Sequence, residues 1–279
     1  MNSQKIEKYD LKNVELVFKS NYGIIYKGVS KKYGKIIIKK NLDKKNYYDS
    51  CKYYSAFKEM CLCKMYAINN DYNVQMFEYI AGRNLFTIPN FMERIKMGYN
   101  YFYDWSKHLK TLNNGDDISF KKMVYTMIKH LKKMTLSEDA LKLMRKFETK
   151  ANHFFKTYNN LYLLHGDLQH YNMLYDGKKV IAIDLSPLQA SFAIEIAKFI
   201  ENELFNNLNE IFQMLNAFLL VFKFEIINDD ELLEGLFIDS CYRTFDSFIE
   251  SGNQVEFEKG VLMNDQILEY IERRKNNEL

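Results

Sequence analysis

The sequence predicts an α+β chain in two lobes: a small antiparallel-sheet lobe carrying one helix over residues 1–80, then a mostly helical lobe over residues 81–279. Three observations carry that expectation. Apolar and aromatic runs broken by glycine turns fill residues 14–39. Helical spacing of apolar residues dominates from Asn84 onward. One short apolar strand pair interrupts the helices near residues 163–184.

The elements follow in order. Val14–Phe18, Gly23–Val29 and Lys35–Lys39 are β-branched or aromatic, and Asn21-Tyr22-Gly23 and Lys32-Tyr33-Gly34 punctuate them. This pattern predicts a three-stranded antiparallel meander. Tyr47–Tyr66 reads as a helix, and Val74–Tyr79 as a further strand closed by Ala81-Gly82. Asn84–Tyr158 is helical, with breaks near Pro89, at Asn113-Asn114-Gly115 and at Thr135-Leu136-Ser137. Ser137-Glu138-Asp139-Ala140 has the composition of a helix start. Phe192–Phe222 reads as one or two long helices, and further helices run to the end.

An aromatic share of 15% and an apolar share of 47% fit a packed globule and exclude disorder. Two prolines and no Ser/Gly-rich run leave no flexible linker. Net charge is +3 but uneven. Met1–Lys64 holds fifteen Lys against six acids, and Glu225–Leu279 holds fourteen acids against five bases. A basic start suits a polyphosphate, and an acidic end suits a cationic small molecule. Cys51, Cys61, Cys63 and Cys241 lack metal spacing, so they are expected to be reduced thiols of a cytoplasmic protein. The run Met214–Phe224 is too short to span a bilayer, and there is no apolar leader. No nucleic-acid module, internal repeat or membrane segment is read, and the chain is expected to act as a monomer.

The chemistry concentrates in Leu163-Leu164-His165-Gly166-Asp167-Leu168-Gln169-His170-Tyr171-Asn172-Met173-Leu174, followed by Val180-Ile181-Ala182-Ile183-Asp184. An Asp and an Asn five residues apart, then an Asp at a strand end, are what phosphoryl transfer to a hydroxyl needs. Asp167 would accept the hydroxyl proton, while Asn172 and Asp184 would hold magnesium against the phosphates of ATP. Lys39, at a strand end, would reach those phosphates, with Glu59 on the following helix as its partner. Tyr22 and Gly23 sit in the hairpin expected over the phosphates. Phe77 and Tyr79 flank the strand whose backbone would meet adenine. His165 is read as architectural. His108, His130 and His153 show no zinc spacing.

At these residues the sequence resembles the aminoglycoside phosphotransferase family, a branch of the protein-kinase-like fold. His165-Gly166-Asp167-Leu168 through Asn172-Met173-Leu174 is similar to that family's catalytic loop, and Ile183-Asp184 to its magnesium-binding element. Phe77–Leu85 is similar to its hinge. Ala182–Pro187 and Glu195–Asn202 look most like the streptomycin 6-kinase and hydroxyurea-resistance branch. Two departures stand out: Gln169 replaces the usual His, and Ala190-Ser191-Phe192 replaces Gly-Asp-Pro. The resemblance implies a bilobal kinase plan and ATP-dependent phosphorylation of a streptomycin-like aminoglycoside, conferring resistance.

Glu234, Asp239, Asp246 and Glu250 are then candidates for meeting substrate ammonium groups. Other readings of the same residues are a kinase of choline, a sugar or a peptide antibiotic, and a nucleotide-binding module without catalysis. The missing Asp-Phe-Gly and Ala-Pro-Glu sequences argue against a protein kinase.

Overall fold

The computed structural model describes residues 10–57, 60–111 and 118–279. The described residues begin with β1 (Leu11–Lys19), β2 (Gly23–Ser30), β3 (Gly34–Asn41), α1 (Lys44–Tyr53), β4 (Met65–Asn69), β5 (Val74–Glu78) and β6 (Arg83–Asn84). Three helices follow, α2 (Phe91–Ser106), α3 (Phe120–Leu131) and α4 (Glu138–Thr157). Then come β7 (Tyr162–Leu164), β8 (Met173–Tyr175), β9 (Val180–Ala182) and β10 (Leu188–Ala190). The chain closes with α5 (Phe192–Asn206), α6 (Ile211–Val221), α7 (Asp229–Ser251) and α8 (Gln254–Lys275). Two compact units result: one runs to Thr87 and takes in Asn172–Ser186, and the other holds Ile88–Tyr171 with Pro187–Leu279.

The first unit is built on a five-stranded antiparallel sheet in the order β1-β2-β3-β5-β4. Alternation sets its two faces. Ile36, Ile38, Val74 and Met76 point to one face and form its apolar core, with Tyr26, Tyr33, Tyr66 and Tyr72 packed against them. Ile37 and Lys39 point to the other, opposite Phe77 and Gln75. Gln75 donates to Ser50 Oγ on α1 at 2.8 Å, which fixes the helix on the Lys39 face. The sequence placed a helix over Tyr47–Tyr66. The helix instead ends at Tyr53, a single 3₁₀ turn follows over Tyr54–Phe57, and Met65 opens a fifth strand.

The same unit holds a small sheet, β6-β8-β9. Arg83 pairs with Tyr175 and Asn84 with Leu174. That pairing brings residues 173–182 into the first unit, so the unit is discontinuous, whereas the sequence reading drew one boundary after residue 80. Gly82 permits the approach: a Cβ there would lie 2.6 Å from the Tyr175 carbonyl oxygen.

The second unit is helical around α5, whose Phe192, Ile196, Phe199, Ile200 and Leu204 are all buried. Ser191 caps α5 by accepting from Ala193 N at 3.1 Å. The Ser137 hydroxyl accepts from Ala140 N at 3.3 Å, the helix start expected there. The break expected at residues 113–115 lies outside the described residues. Phe192–Phe222 divides into α5 and α6 around a 3₁₀ turn at Leu208–Glu210. Gly98 of α2 meets Phe199 so closely that a Cβ would sit 2.4 Å from the ring. Gly98→Ala is therefore expected to destabilise the protein by about 1–3 kcal/mol, read from the urea midpoint. Among the described residues no helix is long and apolar enough to cross a membrane.

Candidate active site

In the first unit, Lys39 reaches Asp184 and forms an ion pair with its Oδ1. Asp184 follows β9 with a φ of 62°, in the left-handed region where an Asp is tolerated better than most side chains. Ile183 N donates to the Asn172 carbonyl at 2.9 Å. Asn172 and Asp184 thus stand at the same end of one hairpin. The segment Cys61–Cys63 runs beside it: Cys63 N donates to Ala182 O and Ala182 N to Cys61 O, each at 2.8 Å. Burial pushes the Cys63 thiol up to about 12, which makes it inert.

Glu59, the expected partner of Lys39, lies outside the described residues. Gly23 opens β2 against Lys40 O, and the exposed Tyr22 precedes it. Both their amides donate to Ser20 Oγ at 3.2 Å, so the turn closes on its own hydroxyl. Phe77 lies on the Lys39 face of β5 beside Tyr54. Tyr79 lies under the Lys27 ammonium, 5.1 Å from its ring centre.

The oxygen donors of Asn172 and Asp184 suit magnesium, a hard cation usually held by one or two carboxylates plus phosphate oxygens and water. Among the described residues no three His, Cys, Asp or Glu side chains gather to hold a metal by themselves.

In the second unit, β7 delivers His165, Gly166 and Asp167. Gly166 turns the chain with a φ of 84°, a conformation that favours glycine. Glu195 of α5 clamps the turn: its Oε2 accepts from Gly166 N at 2.8 Å and its Oε1 from Leu168 N at 3.1 Å. Burial pushes the Glu195 carboxyl up to about 7, against the pull of the Gly166 amide, Lys198 and the Leu168 amide. His170 is buried. It stacks on Phe199, its Nε2 meets Glu203 Oε1 at 2.8 Å, and its backbone N donates to Asn202 Oδ1 at 3.1 Å. Burial raises Glu203, but the hydrogen bonds from Arg94 and His170 outweigh it and hold the carboxyl below its ordinary value.

Asp167 accepts from Gln169 Nε2 at 3.3 Å. Gln169 Oε1 in turn accepts from Arg243 Nη2 at 3.4 Å. Arg243 is anchored by Glu201, whose Oε2 lies 3.1 Å from its Nε.

The acidic candidates divide. Asp239 is fully buried and paired with Lys198 Nζ at 2.9 Å. Glu234 is buried and held by His153 Nδ1 at 2.9 Å and Lys275 Nζ at 3.0 Å. The expectation that these two meet a cationic substrate is corrected: internal cations already neutralise them. Asp246 is half-buried and Glu250 exposed, one turn apart on α7. Burial, then the like charge of Glu250, raise the Asp246 carboxyl.

Comparison with solved structures decides the architecture. The chain matches a thermostable mutant of the aminoglycoside phosphotransferase APH(4)-Ia, in ternary complex with ADP and hygromycin B, at a TM-score of 0.71 and 11% identity. That match covers 96% of this chain and 97% of the other. The chain has the protein-kinase-like fold. The choline kinase LicA from Streptococcus pneumoniae matches at a TM-score of 0.70 and 11% identity, covering 96% of each chain. An ethanolamine kinase from Plasmodium vivax matches at 0.62 and 16%, covering 96% of this chain and 84% of the other. A sequence model of the RIO domain matches residues 102–216. No curated protein sequence matches.

Within this kinase-like fold, sequence reasoning missed the supports of the loop: Glu195, Glu201 and Arg243. One signal was present. Glu195 interrupts an otherwise apolar helix start, Phe192–Ile196, and a carboxylate in such a stripe needs partners.

Proposed function

We propose that the chain is an ATP- and magnesium-dependent phosphotransferase acting on a hydroxyl of a cationic small molecule, with a streptomycin-like aminoglycoside as the first acceptor. The observation that supports this reading is the ion pair between Lys39 and Asp184: the cation proposed for the phosphates and the carboxylate proposed for the metal meet on the first unit. Asp167 takes the proton of the acceptor hydroxyl as its oxygen bonds to the γ-phosphorus and the bond to the β-phosphate oxygen breaks. Asn172 and Asp184 would hold magnesium, and Lys39 would meet the α- and β-phosphates. The bound ion would neutralise charge on the phosphate oxygens. Asp246 and Glu250 supply negative charge toward a cationic acceptor.

A second acceptor class, choline or ethanolamine, is favoured by the fold likeness to LicA and to the Plasmodium vivax kinase. ADP release with MgATP against streptomycin, other aminoglycosides, related cationic antibiotics, choline, ethanolamine and a protein substrate tests both. Turnover on one cationic molecule supports the reading. ATP binding without ADP release to any acceptor or to water sinks it in favour of a non-catalytic nucleotide-binding module. Lys39→Met is expected to weaken ATP binding by about ten- to hundredfold, the loss of a hydrogen bond to a charged group. Titrating ATP into both proteins by calorimetry checks this.

A further inference from the structure

We propose that Arg243 is a positioning residue for the catalytic carboxylate: its guanidinium orients the Gln169 amide, and that amide orients Asp167. The proposal rests on the phosphotransferase reading above.

The chain of contacts has one sense. Arg243 Nη2 donates to Gln169 Oε1 at 3.4 Å, and Gln169 Nε2 donates to Asp167 Oδ2 at 3.3 Å. A flipped amide would set its carbonyl against the carboxylate and its NH₂ against the guanidinium, losing both bonds. The cation at one end and the anion at the other therefore select a single amide orientation. Arg243 is itself held, with Glu201 Oε2 3.1 Å from its Nε. His165 is fully buried, and His170 is taken by Glu203 and Phe199. Lys198, the nearest lysine on α5, is taken by Asp239. Position 169 holds a neutral amide, so the positive charge of Arg243 on α7 stands one side chain removed from this carboxylate.

Loss of the link leaves nucleotide binding alone but lets the carboxylate rotate away from the acceptor hydroxyl. Misplacement of a catalytic group by about an ångström is worth on the order of a hundredfold in rate. Arg243 also lines a cavity of about 250 Å³ shared with Glu201, Asn202, Phe205, Thr244 and Ser247. Removing the side chain opens space that a guanidinium ion can enter from solution.

The test is a kinetic cycle on Arg243→Ala, Gln169→Ala and the double variant. ADP release from MgATP is read with the acceptor found above, or with water if none is found. Each single variant is expected to lower kcat about ten- to hundredfold with KM for ATP within about twofold, and the double variant to be no worse than either alone. Added guanidinium chloride restores Arg243→Ala in part, whereas urea at the same concentration does not. Arg243→Lys, which keeps charge but not the planar fork, falls between. If Arg243→Ala does not fold, the cycle is run with Arg243→Lys. Unchanged kcat in the variants of a wild type that turns over overturns the relay alone. So do losses that multiply in the double variant. A wild type that releases no ADP with any acceptor or water overturns the phosphotransferase reading, and the relay with it.

Discussion

Asp167→Asn is expected to lower ADP release by about two to four orders of magnitude, with ATP affinity unchanged. The substitution is nearly isosteric, and the turn that carries residue 167 is fixed from outside it. Glu195 holds the amides on both sides, at Gly166 and Leu168, so the loop does not depend on the residue 167 side chain for its shape. The groups assigned to the nucleotide, Lys39, Asn172 and Asp184, belong to the first unit and are untouched. The amide of Asn lacks the basic lone pair that accepts a proton, so the cost falls on kcat. Steady-state ADP release and calorimetric ATP titration on the same preparation separate the two effects. Turnover within about tenfold of wild type removes Asp167 from the role of base.

Glu195→Ala is expected to be the most damaging change to stability, about 2–6 kcal/mol from one buried and one part-buried amide left without acceptors. Urea unfolding gives the number. Glu195→Gln keeps one acceptor oxygen and turns an NH₂ toward the other amide, so its loss is smaller. It also removes a titration. The Glu195 carboxyl sits near 7 in the folded protein and near 4.5 when unfolded. A carboxyl raised on folding adds stability that is complete below the unfolded value and is lost as pH rises through the folded one. The stability advantage of wild type over Glu195→Gln should therefore shrink between about pH 5 and pH 8. A pH-independent difference would show that burial of Glu195 is offset by its partners.

Much of the fold was legible because it rests on local pattern. The meander over β2 and β3 follows from Gly23, Gly34 and the β-branched Ile36–Ile38 run. The Ser137 cap stands where the sequence put it. β4 was missed because its identity lies in its partner: its first two residues, Met65 and Tyr66, read as the tail of the preceding helix until β5 is beside them. The same holds for the charges. Glu234 and Asp239 read as candidates for a cationic substrate because their internal partners, His153, Lys275 and Lys198, lie far away in sequence. Asp167, Asn172 and Asp184 stood out for the opposite reason, since their spacing is local. The contact from Lys39 to Asp184 and the clamp by Glu195 join distant segments and leave little local trace.

Trp105 gives the second unit a built-in optical reporter. It is the chain's sole tryptophan, it is buried, and its indole meets the His165 ring edge-on at 6.1 Å. Light absorbed selectively by tryptophan is therefore emitted from a single place, two residues from Asp167. Emission colour and lifetime follow the polarity and quenching of that neighbourhood, with none of the 21 tyrosines needing removal. Stopped-flow mixing with nucleotide or acceptor can then watch the His-Gly-Asp turn directly, without a label and before any acceptor is known.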